Sequence, residues 1–302
     1  MFGPNTIISD NLNISYSHRD KRFFDLYKEV QELFQTKFDL KNYDIIFIPG
    51  SATVGMEAVI SSLNCKIVPV GKEGKFYRRW VELVNKYKNK KFTFEGELSV
   101  RLETSTSSVN IFKRPLVLDA ISSFPFYDLR KPKFFVTCSN KLLGGFPGLS
   151  IVGIRKDSHH LIKEDNTFSY LNLNTYLEYS KNNQLPTTAP THLFESFKRT
   201  LINFDIIKLR ERIYRNSDII RKVIPKKFFI GNVICPVLTF KKEAISEQIA
   251  KKYELYGINS SSDYYQIFTY SDYDINYINF AKDVQETKQL DSQGNPPTIL
   301  QR

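Results

Sequence analysis

The 302-residue chain is poor in the residues that mark disulfide and metal scaffolds. Its three cysteines, Cys65, Cys138 and Cys235, stand far apart without metal spacing. That excludes a disulfide framework and suits a reducing, cytoplasmic setting. There are four histidines, and the pair His159-His160 has no acidic or cysteine cluster near it in sequence. No metal centre is expected. No apolar run reaches the roughly 18 residues that a membrane span needs. The opening "MFGPNTIISD" has no basic stretch followed by an apolar one, so no signal peptide is expected. Neither the Walker pattern nor the Gly-x-Gly-x-x-Gly turn occurs, and there is no internal repeat.

What is present is enough apolar material, 41% of residues, to bury one large core or two modest ones. The formal charge is +11, which raises the question of nucleic-acid or phosphate partners. The basic residues are spread out, however. The one dense patch, "KYKNKKF" (86–92), reads as a solvated helix end, and a nucleic-acid partner is not expected.

Periodicity alternates between strand and helix. "FFDLYKEVQELFQTKF" (23–38) has helical apolar spacing. "DIIFIPGSATVGMEAVISSL" (44–63) reads as strand, glycine turn and helix, and residues 75–87 as a further helix. Strands are predicted at 114–124, 133–141 and 148–157, and a long helical stretch over 191–224. Strand (232–240), helix (242–257) and strand (265–270) follow. The class is α/β with a large, mostly parallel sheet and a small C-terminal α+β domain. The expected boundaries are 1–222, 223–288 and a tail over 289–302.

Four pieces suggest one site, although each has an ordinary reading. The turn "PGSATVGMEA" (49–58) opens a helix whose free N–H groups, with the Ser51 and Thr53 hydroxyls, suit an anion; alone it is equally a capped tight turn. Asp119 ends a short apolar strand, where open α/β sheets bind ligands. A buried carboxylate there wants a cation, although a structural acceptor reads as well. Lys141 ends the next strand, where burial would lower its pKa and make it a nucleophile; a lone lysine is more often a surface residue. Phe76 offers a ring to stack on a planar group, or simply core. Anion turn, aspartate and lysine occur in the order that pyridoxal phosphate (PLP) needs for its phosphate, ring nitrogen and aldehyde.

The sequence resembles the class V aminotransferases of PLP fold type I, nearest to the 2-aminoethylphosphonate–pyruvate and alanine–glyoxylate branch. The likeness rests on "GSATVGMEAVISSL" (50–63), "ETSTSSVNI" (103–111), "DAISSFPFYDL" (119–129) and "SNKLLGGFPGLSIV" (139–152). "SHRDKRFFDLYKEV" (17–30) and "PTTAPTHLFESFKRTL" (186–201) add to it, and it runs through most of residues 3–285. The resemblance implies a Schiff base on Lys141, with Asp119 keeping the ring nitrogen protonated. It implies Phe76 stacked on the ring and Thr104 near its phenolic oxygen. Ser51, Ala52, Thr53, Ser139 and Thr188 would be phosphate-side contacts, Thr188 reaching across a homodimer. Small-molecule amine and 2-oxo-acid substrates follow.

Two departures stand out. Connections after "KKFTFEG" and after "VNIF" are shorter than in the family, so a helix-strand unit and a later helix should be missing. The arginine that grips the substrate carboxylate falls at Gln266. Losing such a charge-assisted pair forfeits about 1.5–3 kcal/mol. Arg19 and Arg101 are candidate substitutes. That departure keeps a PLP-dependent lyase, or a catalytically weak PLP-binding protein, as the alternative.

Overall fold

In the computed structural model, residues 16–87, 94–111, 115–129, 131–165, 167–272 and 274–292 are described. The chain divides into two compact units, residues 5–206 and 207–302.

The larger unit contains helix α1 (Lys21–Lys37), strand β1 (Tyr43–Pro49), α2 (Ala52–Ser62), β2 (Lys66–Val70), α3 (Lys75–Lys86) and β3 (Glu95–Val100). The short strands β4 (Leu102–Glu103) and β5 (Ser108–Val109) form a hairpin. β6 (Val117–Asp119), β7 (Phe134–Cys138), β8 (Leu149–Arg155), α4 (Leu173–Ser180) and α5 (Thr191–Asn203) complete it. The sheet order is β1-β8-β7-β6-β3-β2. β2, β3, β6 and β7 pair in parallel, and β8 runs antiparallel between β7 and β1. Five strands therefore end at one edge, where β8 begins.

Alternation along the strands builds the two faces. Phe47 packs against Tyr27 and Phe34 of α1 and Phe194 of α5. On the other face α2 crosses β7 and β8, with Gly55 seated over Val136 and Ser150. β2 and β3 are direct neighbours joined through α3, and β6 starts at Val117 soon after β5 ends at Val109. The short connections thus leave out the units that the resemblance would insert.

The C-terminal unit holds α6 (Ile206–Val223), β9 (Phe229–Ile230), β10 (Val237–Lys241), α7 (Glu247–Lys252), β11 (Tyr264–Phe268) and α8 (Asp274–Ser292). Its sheet order is β11-β10-β9, all antiparallel. α6 counts with this unit: Asn216 donates to Thr269 O at 2.8 Å, and Arg212 pairs with Asp272. The sequence placed the boundary after residue 222 instead.

The stretch 191–224 is two helices. Phe204 turns extended and packs on Phe38, while Lys37 Nζ donates to its carbonyl at 2.7 Å, so the chain breaks there. The stretch 242–257 shortens to a 3-10 turn and α7, because Ser246 caps a new start by accepting from Ile249 N–H. α8 continues through Ser292, into the stretch read as tail. Gly3-Pro4, most of the basic patch and residues 293–302 lie outside the described residues. Among the described residues no helix is long and apolar enough to cross a membrane.

Gly153 faces Phe135 so closely that an added Cβ would lie 1.9 Å from its Cε1. Phe135 is fully buried against Tyr43 and Phe124 and has nowhere to go. Gly153→Ala should therefore destabilise the chain by about 1–3 kcal/mol, read as a lowered urea midpoint; an unchanged midpoint would refute this packing.

Candidate active site

Three of the strands that end at the shared edge, β1, β6 and β7, lead into the candidate site. β1 is followed by Gly50, whose φ of +138° only glycine adopts easily and whose N–H donates to Gly148 O at 2.7 Å. That bond ties the turn before α2 to the start of β8. Ser51 is the N-cap of α2, but its hydroxyl makes no capping bond. It is exposed, and Ala52 and Thr53 are half-buried in the first turn, where backbone N–H groups lack helical partners.

β6 ends in Asp119, 4% exposed. Its Oδ2 accepts from the Trp80 indole N–H at 2.7 Å and its Oδ1 from Ile121 N–H at 2.9 Å. Burial raises its pKa to about 6 against these two donors, with Glu103 adding to the rise and Arg79 opposing it.

β7 ends in Cys138, and Lys141 follows with φ +59°, a left-handed conformation costly for a lysine. A 3-10 turn over Lys141–Leu143 and Gly144 at φ +78° lead into the loop back to β8. Burial lowers the Lys141 pKa. Burial pushes the Cys138 thiol up to about 12, and both Lys141 and Asp119 act on it electrostatically. Carboxylate and amine therefore come from the ends of adjacent strands. Ser139 uses its hydroxyl to hold this loop, donating to Phe146 O at 2.6 Å, while its carbonyl accepts from Gly145 N–H.

α3 supplies the third wall. Phe76 is half-buried in its first turn, with the Arg79 guanidinium 5.5 Å from the ring centroid. Arg79 Nη1 donates to Thr53 Oγ1 at 3.3 Å, which joins α3 to the first turn of α2. The helix start is anchored by Glu103, fully buried, whose Oε2 accepts from Phe76 and Tyr77 N–H at 3.1 and 2.9 Å. Its Oε1 takes Ser105 N–H and hydroxyl. Thr104, next in chain, is buried beside it.

Thus Thr53, Phe76 and Asp119 are linked through Arg79 and Trp80, and Lys141 follows the end of the strand next to that of Asp119. The other candidates stand differently. Arg101 is 4% exposed, and its guanidinium is held by Asn110 O, by Asp128 Oδ1 at 2.9 Å and by the Tyr127 ring. Arg19 is exposed on the loop before α1, and Thr188 is exposed before α5. Gln266 is buried on β11 in the C-terminal unit, its amide donating to Thr239 Oγ1 at 3.0 Å. His159 pairs with Asp44 at 2.7 Å. Sequence reasoning missed Glu103, Arg79 and Trp80. The last two lie three and four residues after Phe76, hence on its helix face, and that spacing was the available signal.

No family model matches the chain, and no curated protein matches it by sequence. Solved structures do. Aspartate aminotransferase of subgroup IV from Thermus thermophilus superposes with TM-score 0.74 at 16% identity, covering 91% of this chain and 94% of that one. The fold is that of the fold type I aminotransferases. Alanine–glyoxylate aminotransferase from Nostoc sp. gives TM-score 0.71 at 18% identity, covering 90% of each chain. PLP-bound phosphoserine aminotransferase from Trichomonas vaginalis gives 0.68 at 17%, covering 91% of this chain and 90% of that one. This aminotransferase fold sets the strand ends described above at one edge.

An acid whose folded pKa is raised binds a proton that the unfolded chain has already released. For Asp119 that window runs from 3.8 to about 6, and stability falls as pH rises through it. The cofactor-free wild type should therefore lose about 2–3 kcal/mol of stability between pH 4 and pH 8, and Asp119→Asn, whatever its own stability, should lack that slope. A wild-type slope no steeper than that of Asp119→Asn would refute the buried-charge account.

Proposed function

We propose that the protein is a PLP-dependent aminotransferase that moves an amino group from a small amine or amino acid to a 2-oxo acid. 2-Aminoethylphosphonate and pyruvate are the donor and acceptor suggested by the resemblance. The observation that carries this reading is buried Asp119 at the end of β6 and half-buried Lys141 just beyond the end of its neighbour β7.

The residues fit the cofactor. A carboxylate offers about four acceptor positions, and Asp119 uses two, on Trp80 and Ile121. A protonated ring nitrogen is the cation that such a buried carboxylate lacks. The Ser51 hydroxyl, which makes no capping bond, and the N–H groups of Ala52 and Thr53 at the start of α2 suit a phosphate. Phe76 provides the stacking face. When bound, PLP supplies an aldehyde for amines and a ring that accepts the electron pair released at the substrate carbon. Lys141, neutral more readily because it is half-buried, would hold the aldehyde carbon and pass the proton between substrate carbon and cofactor. Asp119 would keep the ring nitrogen protonated. The resemblance puts Thr104, buried here, beside the ring, and Thr188, exposed, suits a contact to a second copy in a homodimer. The buried free thiols suit a cytoplasmic setting.

A second reading, a PLP-dependent lyase or another non-transaminase, is favoured by Gln266. Its amide is engaged with Thr239 and carries no charge for a substrate carboxylate.

Borohydride reduction of the cofactor-loaded protein should place the cofactor's mass on Lys141 in peptide mass spectrometry. Lys141→Ala should take no label and lose about 10²–10⁴-fold in turnover. A label on another lysine would overturn the assignment. A panel of small amines separates the two readings: an aminotransferase converts the cofactor to its amine form with at least one of them. Persistence of the aldehyde form with all, alongside release of a cleaved product, establishes the lyase.

A further inference from the structure

Trp80 is the only tryptophan in the chain, and it is fully buried. A core position would be filled as well by phenylalanine or leucine, which leave no polar group to satisfy. Here the indole N–H is aimed at one atom, Asp119 Oδ2, at 2.7 Å. The other oxygen is fixed by a backbone N–H at 2.9 Å, so the carboxylate is held at both ends and cannot rotate. The donor sits on α3 four residues after Phe76 and one after Arg79, and the helix start is bolted to Glu103. One rigid helix turn therefore sets ring face, carboxylate and α2 turn relative to one another.

We propose that Trp80 is the positioning residue of the site: its indole N–H orients Asp119 and holds it in the ionised form that a protonated ring nitrogen requires. The proposal rests on the PLP reading for its purpose, but not for its first test. A donor to the ionised form favours that form. It acts here against burial and against Glu103 on β4, while Arg79 on α3 acts with it. On the β7 side the Cys138 thiol faces it electrostatically, and the same thiol feels Lys141. Without the indole, Asp119 would stay protonated to higher pH and offer its proton, rather than a charge, to the ring.

Because the tryptophan is unique, its emission in the cofactor-free protein reports its acceptor directly. Wild-type emission should change through a single transition near the Asp119 pKa of about 6, and Asp119→Asn should abolish it. A transition that persists in Asp119→Asn, or no transition in wild type, overturns the link between the two residues. The second measurement is PLP affinity by equilibrium dialysis against pH. In Trp80→Phe the midpoint below which binding weakens should move to higher pH, with affinity at pH 7 lowered about tenfold or more and recovered towards pH 9. Circular dichroism checks that the variant is folded. A folded Trp80→Phe with the wild-type midpoint shows a merely space-filling tryptophan and overturns the proposal. If neither protein binds PLP at any pH, the cofactor reading falls, while the emission transition still decides whether Trp80 governs Asp119.

Discussion

A carboxylate placed where water cannot reach it is the constraint around which the large unit is arranged. Ionised Asp119 at the end of β6 is costly in isolation, and each of its neighbours answers that cost. Trp80 and Ile121 donate to it, Arg79 contributes positive charge, and Glu103 works in the opposite direction. The balance leaves the group poised near pH 6, responsive to one further donor. An ordinary structural aspartate would be satisfied fully by the protein itself. One left short of a cation, at the strand edge where this fold opens, fits the proposed role of meeting a cationic ligand.

The position of α3 follows from a second buried carboxylate. Glu103 accepts two N–H groups at the helix start, the work usually done by a short N-cap side chain. The N-cap here is Gly74, where a Cβ would lie 2.2 Å from the Glu103 carboxyl carbon. Only a residue without a side chain lets the carboxylate reach the helix. The same helix then carries Phe76, Arg79 and Trp80 into the site. Loss of Glu103 would thus be felt at Asp119 through the helix as well as through charge.

The strand ends bearing Gly50, Asp119 and Lys141 were legible because the apolar runs before them stop abruptly at polar or glycine residues. The α/β class and the C-terminal sheet were legible from period alone. The helix break at Phe204 was not, because the aromatic contact with Phe38 that causes it spans more than 160 residues. The helix start at Ser246 was hidden inside a run with continuous helical propensity. Trp80 was missed for the same reason as Phe204: its meaning lies in a partner 39 residues away, and from sequence it reads as one more apolar residue on an amphipathic helix.

The distribution of cations bears on substrate choice. Arg101 looked free in sequence, yet its guanidinium is buried under Tyr127 and bound to Asn110 and Asp128, so it fastens the segment after Asp119 to the hairpin. Removing it from that role would leave buried acceptors and a loosened loop, a poor exchange for a substrate contact. Gln266 is neutral and engaged with Thr239. Arg79 is bonded to Thr53 and lies over Phe76, on the phosphate side of the proposed cofactor seat. A substrate whose binding depends on a carboxylate clamp would therefore draw on Arg19 or on none of these groups. A small amine without that carboxylate needs no such clamp, which is the physical reason to begin the search for substrates of the proposed enzyme among such amines.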